Sequence, residues 1–160
     1  MIRSIFICFL GLVLLIPLAN AEEKPISLLS CRSGNVSILS ASKELTVLSF
    51  EIKGIDQGID GDTTFENFTH RCMGIQRIRE GETWSTGNCK YMDPDGDFWI
   101  VEFNGESGGK KLPWTFIQGT GKWKGIKGGG TAQNYTRGKP IAEGTFQMCT
   151  KIEGKYELPQ

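Results

Sequence analysis

The stretch HRCMGIQRIREGETWSTGNC, residues 70–89, decides the fold. Two segments rich in β-branched and polar residues flank a Glu-Gly pair, and Gly81 accepts the positive φ that a tight reversal requires. If the chain turns there, Cys72 lies directly opposite Cys89 on the antiparallel partner strand. Facing residues in a non-hydrogen-bonded pair come close enough for a cross-strand disulfide. The spacing therefore predicts a β-hairpin with a bridge across it.

The other cysteines extend this prediction to the ends of the chain. Of five cysteines, Cys8 lies in the N-terminal apolar run, which leaves Cys31 and Cys149 to pair with each other. Four cysteines allow three pairings, but this one joins the N-terminal segment to the last strand, where a barrel must close. A zinc site is the rival explanation. It is disfavoured because the sequence has no C-x-x-C pair and a single histidine, so we predict no metal.

Short apolar runs between Gly, Asp and Asn clusters recur along the chain, which contains 21 glycines. This pattern is typical of an all-β sandwich or barrel, and we expect almost no helix. The bridged ends favour an eight-stranded antiparallel β-barrel over a sandwich, because closure leaves no exposed edge. The predicted strands cover residues 36–39, 45–53, 66–77, 82–92, 98–104, 112–118, 129–136 and 141–152.

The N-terminus has the pattern of a secretory signal peptide. Arg3 precedes an apolar run that ends at Pro17, and Ala19-Asn20-Ala21 forms a small-residue cleavage site. The run is too short for a membrane anchor. We therefore expect residues 1–21 to be a cleaved signal peptide, residues 22–160 to form one domain, and the protein to be secreted or periplasmic.

Charge argues against nucleic acid as a partner. Eighteen Lys and Arg residues balance eighteen Asp and Glu residues, and no basic cluster occurs along the chain. Capture of a phosphate backbone needs such a cluster. The acidic turn at residues 93–97 lacks the spacing of a calcium loop and predicts a hairpin instead. We expect no cofactor.

The glycine-rich stretch GTGKWKGIKGGG, residues 119–130, carries a family resemblance. Together with HRCMG at 70–74, GNC at 87–89, DPDGD at 93–97 and EGTF at 143–146, it resembles the allene oxide cyclase and dirigent barrel-like proteins. The resemblance covers roughly residues 45–152 and implies an eight-stranded, calycin-like barrel. Members of this type associate through barrel exteriors, so it makes an oligomer one expectation. It assigns no catalytic residue to this chain.

Strand register supplies the candidate site residues. A turn at Pro94-Asp95 would set Tyr91 opposite Phe98 and place both on one face with His70 and Glu102. If that face lines the interior, Glu102 is a desolvated carboxylate suited to general-acid chemistry, with His70 and Tyr91 orienting a substrate oxygen. The opposing interpretation is a solvated Glu102, and the pattern does not decide which face points inward.

Tryptophans are the second group of candidates. Trp84 and Trp99 fall on the other face of the same strands, where they would either stack on a ligand or pack in the core. The sequence shows no catalytic nucleophile paired with a general base. The leading hypothesis is therefore a non-catalytic exported barrel that binds a small apolar ligand or a partner protein. The alternatives are an isomerase of the allene oxide cyclase type and a structural or inhibitory secreted protein.

Overall fold

The computed structural model describes residues 22–159, which form a closed barrel of eight antiparallel strands, as predicted. Each strand pairs with the next in sequence, and the last pairs with the first. The predicted signal peptide, residues 1–21, lies outside the described residues. The strands are β1 Lys24–Ala41, β2 Leu45–Gly58, β3 Phe68–Arg79, β4 Glu82–Met92, β5 Phe98–Glu106, β6 Leu112–Gly119, β7 Lys127–Arg137 and β8 Thr145–Glu157.

The β3–β4 hairpin has the predicted register. Glu80 and Gly81 both adopt positive φ, 52° and 84°, which is the geometry of the two-residue turn that matches strand twist. Cys72 therefore pairs with Cys89, and the two form a disulfide on the inner face of the barrel. The prediction from the 70–89 stretch is confirmed.

The second disulfide also follows the prediction and joins the first strand to the last. Cys31 on β1 and Cys149 on β8 are paired residues of the closing seam, 118 positions apart in sequence. Their neighbours Ser30 and Thr150 are fully buried, so the alternation of a strand directs both cysteines toward the outer surface. This bridge therefore fixes the seam from outside.

Strand β1 is longer than the sequence indicated, since the prediction began it at residue 36. The segment from Ile26 to Arg32 alternates, with Ile26, Leu28 and Ser30 buried and the residues between them more exposed. Serine and arginine at inward positions hide this alternation from a hydrophobic pattern. The last strand likewise begins later and ends later than predicted.

The β4–β5 register differs from the prediction by one residue. Met92 pairs with Phe98 and Tyr91 pairs with Trp99, because the turn is a five-residue loop, 93–97, rather than a tight reversal at Pro94-Asp95. Asp93 holds this loop, since its Oδ1 accepts the backbone N–H groups of residues 95 and 97. A one-residue slip moves every side chain of a strand to the other face. The predicted faces of β5 are therefore wrong.

An aromatic cluster closes one end of the barrel. Phe65, Phe68, Trp99, Trp123 and Tyr156 pack ring against ring, with 4.7 Å between the centroids of Trp99 and Trp123. Trp123 comes from a 3-10 turn, Gly121–Trp123. The rings form a floor beneath the barrel interior, which is open at the other end.

Within the described chain, no helix has the length and apolarity needed to cross a bilayer.

Candidate ligand-binding cavity

The barrel interior above the aromatic floor is a cavity of about 440 Å³. Its walls are largely aliphatic and aromatic, and both cysteines of the inner disulfide, Cys72 and Cys89, contribute to them. The rim carries polar and charged side chains from the strand ends opposite the floor: Gln76, Thr83, Ser107, Lys110 and Arg137. Small barrels are either filled by their own side chains or hold one small ligand, and this one is not filled.

Two inward-facing glycines make room for the aromatic walls. Gly74 and Gly87 pair across β3 and β4, where a side chain would otherwise enter the interior. A Cβ on Gly74 would lie 2.6 Å from Phe50 Cζ, and one on Gly87 would lie 2.7 Å from Phe103 Cζ. The rings of Phe50 and Phe103 instead lie over these glycines, stacked with 6.2 Å between centroids. The glycines thus shape the cavity wall.

A guanidinium group interrupts the apolar wall. Arg32 projects inward from β1, lines the cavity and donates a hydrogen bond to Thr150 Oγ1. Its Nε is shielded from solvent and has no hydrogen-bond partner within the described chain. Burial lowers the pKa of Arg32, against the attraction of Tyr91 and Asp56. Burial also raises the pKa of Tyr91, so this phenol stays protonated and can act as a donor.

Inside the barrel, but not lining the cavity, lies a buried chain of three polar side chains. His70 Nδ1 lies 3.0 Å from Asp56 Oδ2, and His70 Nε2 lies 3.5 Å from Ser30 Oγ. The order Ser-His-Asp is that of a hydrolase relay. None of the three side chains lines the cavity, however, and Ser30 has no exposed surface. The arrangement is therefore a buried hydrogen-bonded network, which holds His70 against the Tyr91 ring at 5.3 Å between centroids.

Three of the predicted site residues come together inside the barrel. Tyr91 and Trp99 both line the cavity, and their rings stack with 5.8 Å between centroids. His70 packs on Tyr91 but does not itself line the cavity. Trp99 was predicted on the opposite face from Tyr91. It joins Tyr91 because of the one-residue change in the β4–β5 register.

The other three candidates lie outside the interior. Glu102 is exposed on the outer face, between the inward-facing residues Val101 and Phe103, so the burial that a general acid requires is absent. Phe98 packs beneath Lys90 Nζ, which lies 4.0 Å from the ring centroid. Trp84 is 45% exposed and donates a hydrogen bond to Asn104.

Sequence reasoning missed Arg32 and Asp56. Arg32 lies on β1 and Asp56 on β2, and both occupy even-numbered positions that alternate with more exposed residues. Ser30 pairs with Asp56 across these strands, and nothing in the hydrophobic pattern marks such polar positions as inward-facing. A charged residue in a strand is normally assigned to the solvent face, because an isolated buried charge is costly. Buried polar networks are the exception to that assignment.

Comparison with known proteins identifies the fold. No family model and no curated protein match this chain. Two pterocarpan synthase dirigent proteins, GePTS1 and PsPTS1, are similar in structure, each with a TM-score of 0.53. GePTS1 is 14% identical to this chain, and the match covers 88% of this chain and 95% of GePTS1. PsPTS1 is 9% identical, and the match covers 87% of this chain and 97% of PsPTS1.

A third solved structure is similar over the same region. It is a conserved protein of unknown function from Rhodopseudomonas palustris, with a TM-score of 0.48 and 13% identity, covering 84% of this chain and 98% of that one. The two dirigent proteins establish that this chain has a dirigent-like barrel fold. The comparisons do not single out allene oxide cyclases, the other part of the resemblance noted in the sequence.

Proposed function

We propose that this protein binds a small, largely apolar molecule inside its barrel without transforming it. The open cavity of about 440 Å³ is the observation that carries the proposal. Ligand sites typically enclose roughly 300–1,000 Å³, with mostly apolar walls and a few polar groups that fix orientation. Phe50, Phe103 and Phe146 supply apolar wall, while Tyr91 and Arg32 supply polar groups.

The composition of the wall favours binding over the isomerase alternative. An allene oxide cyclase type of mechanism, as inferred from the sequence, would require a carboxylate that faces the substrate. Among the described residues, no Asp or Glu side chain lines the cavity. The buried Asp56 is hydrogen-bonded to His70 through Oδ2 and does not line the cavity, and Glu102 lies on the outer face. A carrier or sequestering role needs no such group.

Export remains part of the proposal. The two disulfides support it, because such bridges persist in oxidising compartments outside the cytoplasm. The partner-protein and oligomer hypotheses would involve the outer wall. Met73, Ile75 and Trp84 are exposed apolar residues on neighbouring strands there, and contact through this wall stays a prediction.

A fluorescent apolar probe tests the binding proposal. Phenylnaphthylamine is uncharged and fluoresces more strongly in an apolar site, so titration into the mature protein should give saturable binding. The variant Ala132→Phe adds a ring to the cavity wall and should weaken binding by about tenfold or more, because the ring occupies ligand volume.

The matched control is Gln133→Phe, one residue along β7 on the opposite, exposed face. This variant adds the same ring outside the barrel and should bind as the wild type does. Thermal melts of both variants establish that each is folded. Absence of saturable binding to the wild type, or equal loss in both variants, would contradict a site in the interior.

A further inference from the structure

Arg32 is the cationic group deepest in the cavity wall, and its charge has no acidic partner. Within the described chain it takes part in no ion pair, although Lys and Arg side chains elsewhere pair with carboxylates. Thr150, a neutral group, accepts one guanidinium N–H, and the Nε–H has no acceptor. A guanidinium offers five N–H donors, so most of its capacity is unused.

The nearest buried acid does not compensate this charge directly. Asp56 attracts Arg32 through space, but its Oδ2 lies 3.0 Å from His70 Nδ1 and its Oδ1 has no hydrogen-bond partner within the described chain, so neither oxygen is bound to Arg32. Asp56 does not line the cavity, whereas Arg32 does. A partly buried cation without a paired anion is unfavourable, because desolvation is offset only by an ion pair and hydrogen bonds. An oxyanion placed in the cavity would supply both.

The other charged residues of the cavity lining are also positively charged. Lys110 and Arg137 are the other charged groups that border the cavity, both at the rim, and no carboxylate lines it among residues 22–159. Lys110 pairs with Glu106, which does not itself border the cavity. Low-dielectric walls lined by one sign of charge concentrate ions of the opposite sign. The potential therefore favours anions at the rim and at Arg32.

Trp114 adds a second unused donor. Its indole lines the cavity from β6, and its Nε1–H is buried without an acceptor. An indole nitrogen only donates, and a buried Trp normally finds a partner for it. Two buried N–H groups of residues that line one apolar cavity, Arg32 Nε and Trp114 Nε1, thus lack an acceptor within the described chain, and a bound molecule with an acceptor atom would satisfy them.

We propose that the ligand is an amphipathic anion, an apolar body with a carboxylate or similar oxyanion that pairs with Arg32 inside the barrel. This inference rests on the proposed function and specifies the ligand class for the same cavity. The apolar body lies between Arg32 and the rim, against Phe50 and Phe103. The guanidinium fork matches the two oxygens of a carboxylate.

Two probes that differ by one charged group test the inference. Anilinonaphthalene sulfonate has the apolar rings of phenylnaphthylamine with an added sulfonate. Both are titrated into wild type, Arg32→Met and Arg137→Met. We expect Arg32→Met to lower the ratio of sulfonate affinity to phenylnaphthylamine affinity by about tenfold or more, the value of a charge-assisted hydrogen bond. Arg137→Met, at the exposed rim, should have the smaller effect on the sulfonate.

The outcomes separate the two proposals. If wild type binds neither probe, the proposed function and this inference both fail. If phenylnaphthylamine binds but the sulfonate does not, or if Arg32→Met changes both probes equally or neither, binding in the barrel stands and the anion site at Arg32 is overturned. Urea titration of Arg32→Met, with an unchanged slope, establishes that the variant has kept its fold.

Discussion

The disulfide at the barrel seam gives the most quantitative prediction. The Cys31–Cys149 bridge closes a loop of 118 positions, and both cysteines point outward, so replacing them leaves no void in the interior. Its effect is therefore mainly a restriction of the unfolded chain. Loop-closure entropy grows with loop length and amounts to about 5 kcal/mol for a loop of this size. For the Cys72–Cys89 loop, with a separation of 17, the same relation gives about 3 kcal/mol.

The double variant Cys31→Ser/Cys149→Ser should thus lose about 5 kcal/mol of unfolding free energy. Urea unfolding, extrapolated to zero denaturant, measures this loss directly. The slope of free energy against urea should rise slightly, because the unfolded chain without the bridge exposes more surface. A loss of less than about 1 kcal/mol would refute the reasoning, since it would mean that β1–β8 pairing needs no covalent constraint.

Three further predictions concern single residues. Asp93→Asn should cost about 2 kcal/mol at neutral pH. Burial raises the pKa of Asp93, but hydrogen bonds from Lys122 and Trp123 outweigh it and the net pKa is lowered. The stability that this carboxylate contributes is therefore present above the unfolded pKa of about 3.9 and is lost as pH falls through the folded pKa. Urea titrations from pH 7 to about pH 3 should show the gap between wild type and variant narrowing, and a constant gap would contradict it. Gly87→Ala should cost about 1–3 kcal/mol, because its Cβ would lie 2.2 Å from a backbone oxygen, whereas Gly138→Ala, with no atom nearer than 3.9 Å, should be close to neutral in the same thermal melts. Glu102→Gln should leave phenylnaphthylamine binding within about twofold, since Glu102 is exposed on the outer wall, and a larger loss would return it to the site.

The architecture could be predicted because a few local signals had long-range consequences. The turn at Glu80-Gly81 fixes a register, and that register places Cys72 opposite Cys89. Once this pair is assigned, the remaining two cysteines must connect the first strand to the last. Closure of the barrel follows from that connection. Turn chemistry and disulfide pairing are local or binary constraints, so a single sequence can specify them.

The candidate site could be predicted only in part, because faces depend on register to a single residue. The side chain of Asp93 organises a longer loop than the turn residues indicated. The resulting one-residue shift in register places Trp99, rather than Phe98, on the inner face of β5. Tyr91 was assigned correctly to the same face as His70, since their strands share the β3–β4 register, but the sequence did not decide that this face points inward. An error of one position in a loop therefore decides whether Glu102 is a candidate acid or a surface residue.

Arg32 could not have been predicted from pattern. Its position in the wall depends on Gly54, which pairs with it across β1 and β2. A Cβ on Gly54 would lie 2.6 Å from His70 Cε1 and 2.8 Å from Arg32 Cβ, so the glycine lets both side chains fit at the same level of the barrel. Such accommodation involves three strands and is a property of tertiary packing. Strand propensity and hydrophobic alternation carry no information about it.

A crystal structure of the protein with anilinonaphthalene sulfonate tests the central claim most directly, namely that the barrel interior is a binding site. We predict density for the rings against Phe50 and Phe103, with the sulfonate within hydrogen-bond distance of the Arg32 guanidinium. Probe density confined to the outer wall near Met73, Ile75 and Trp84, with the interior occupied by the protein's own side chains, would contradict it.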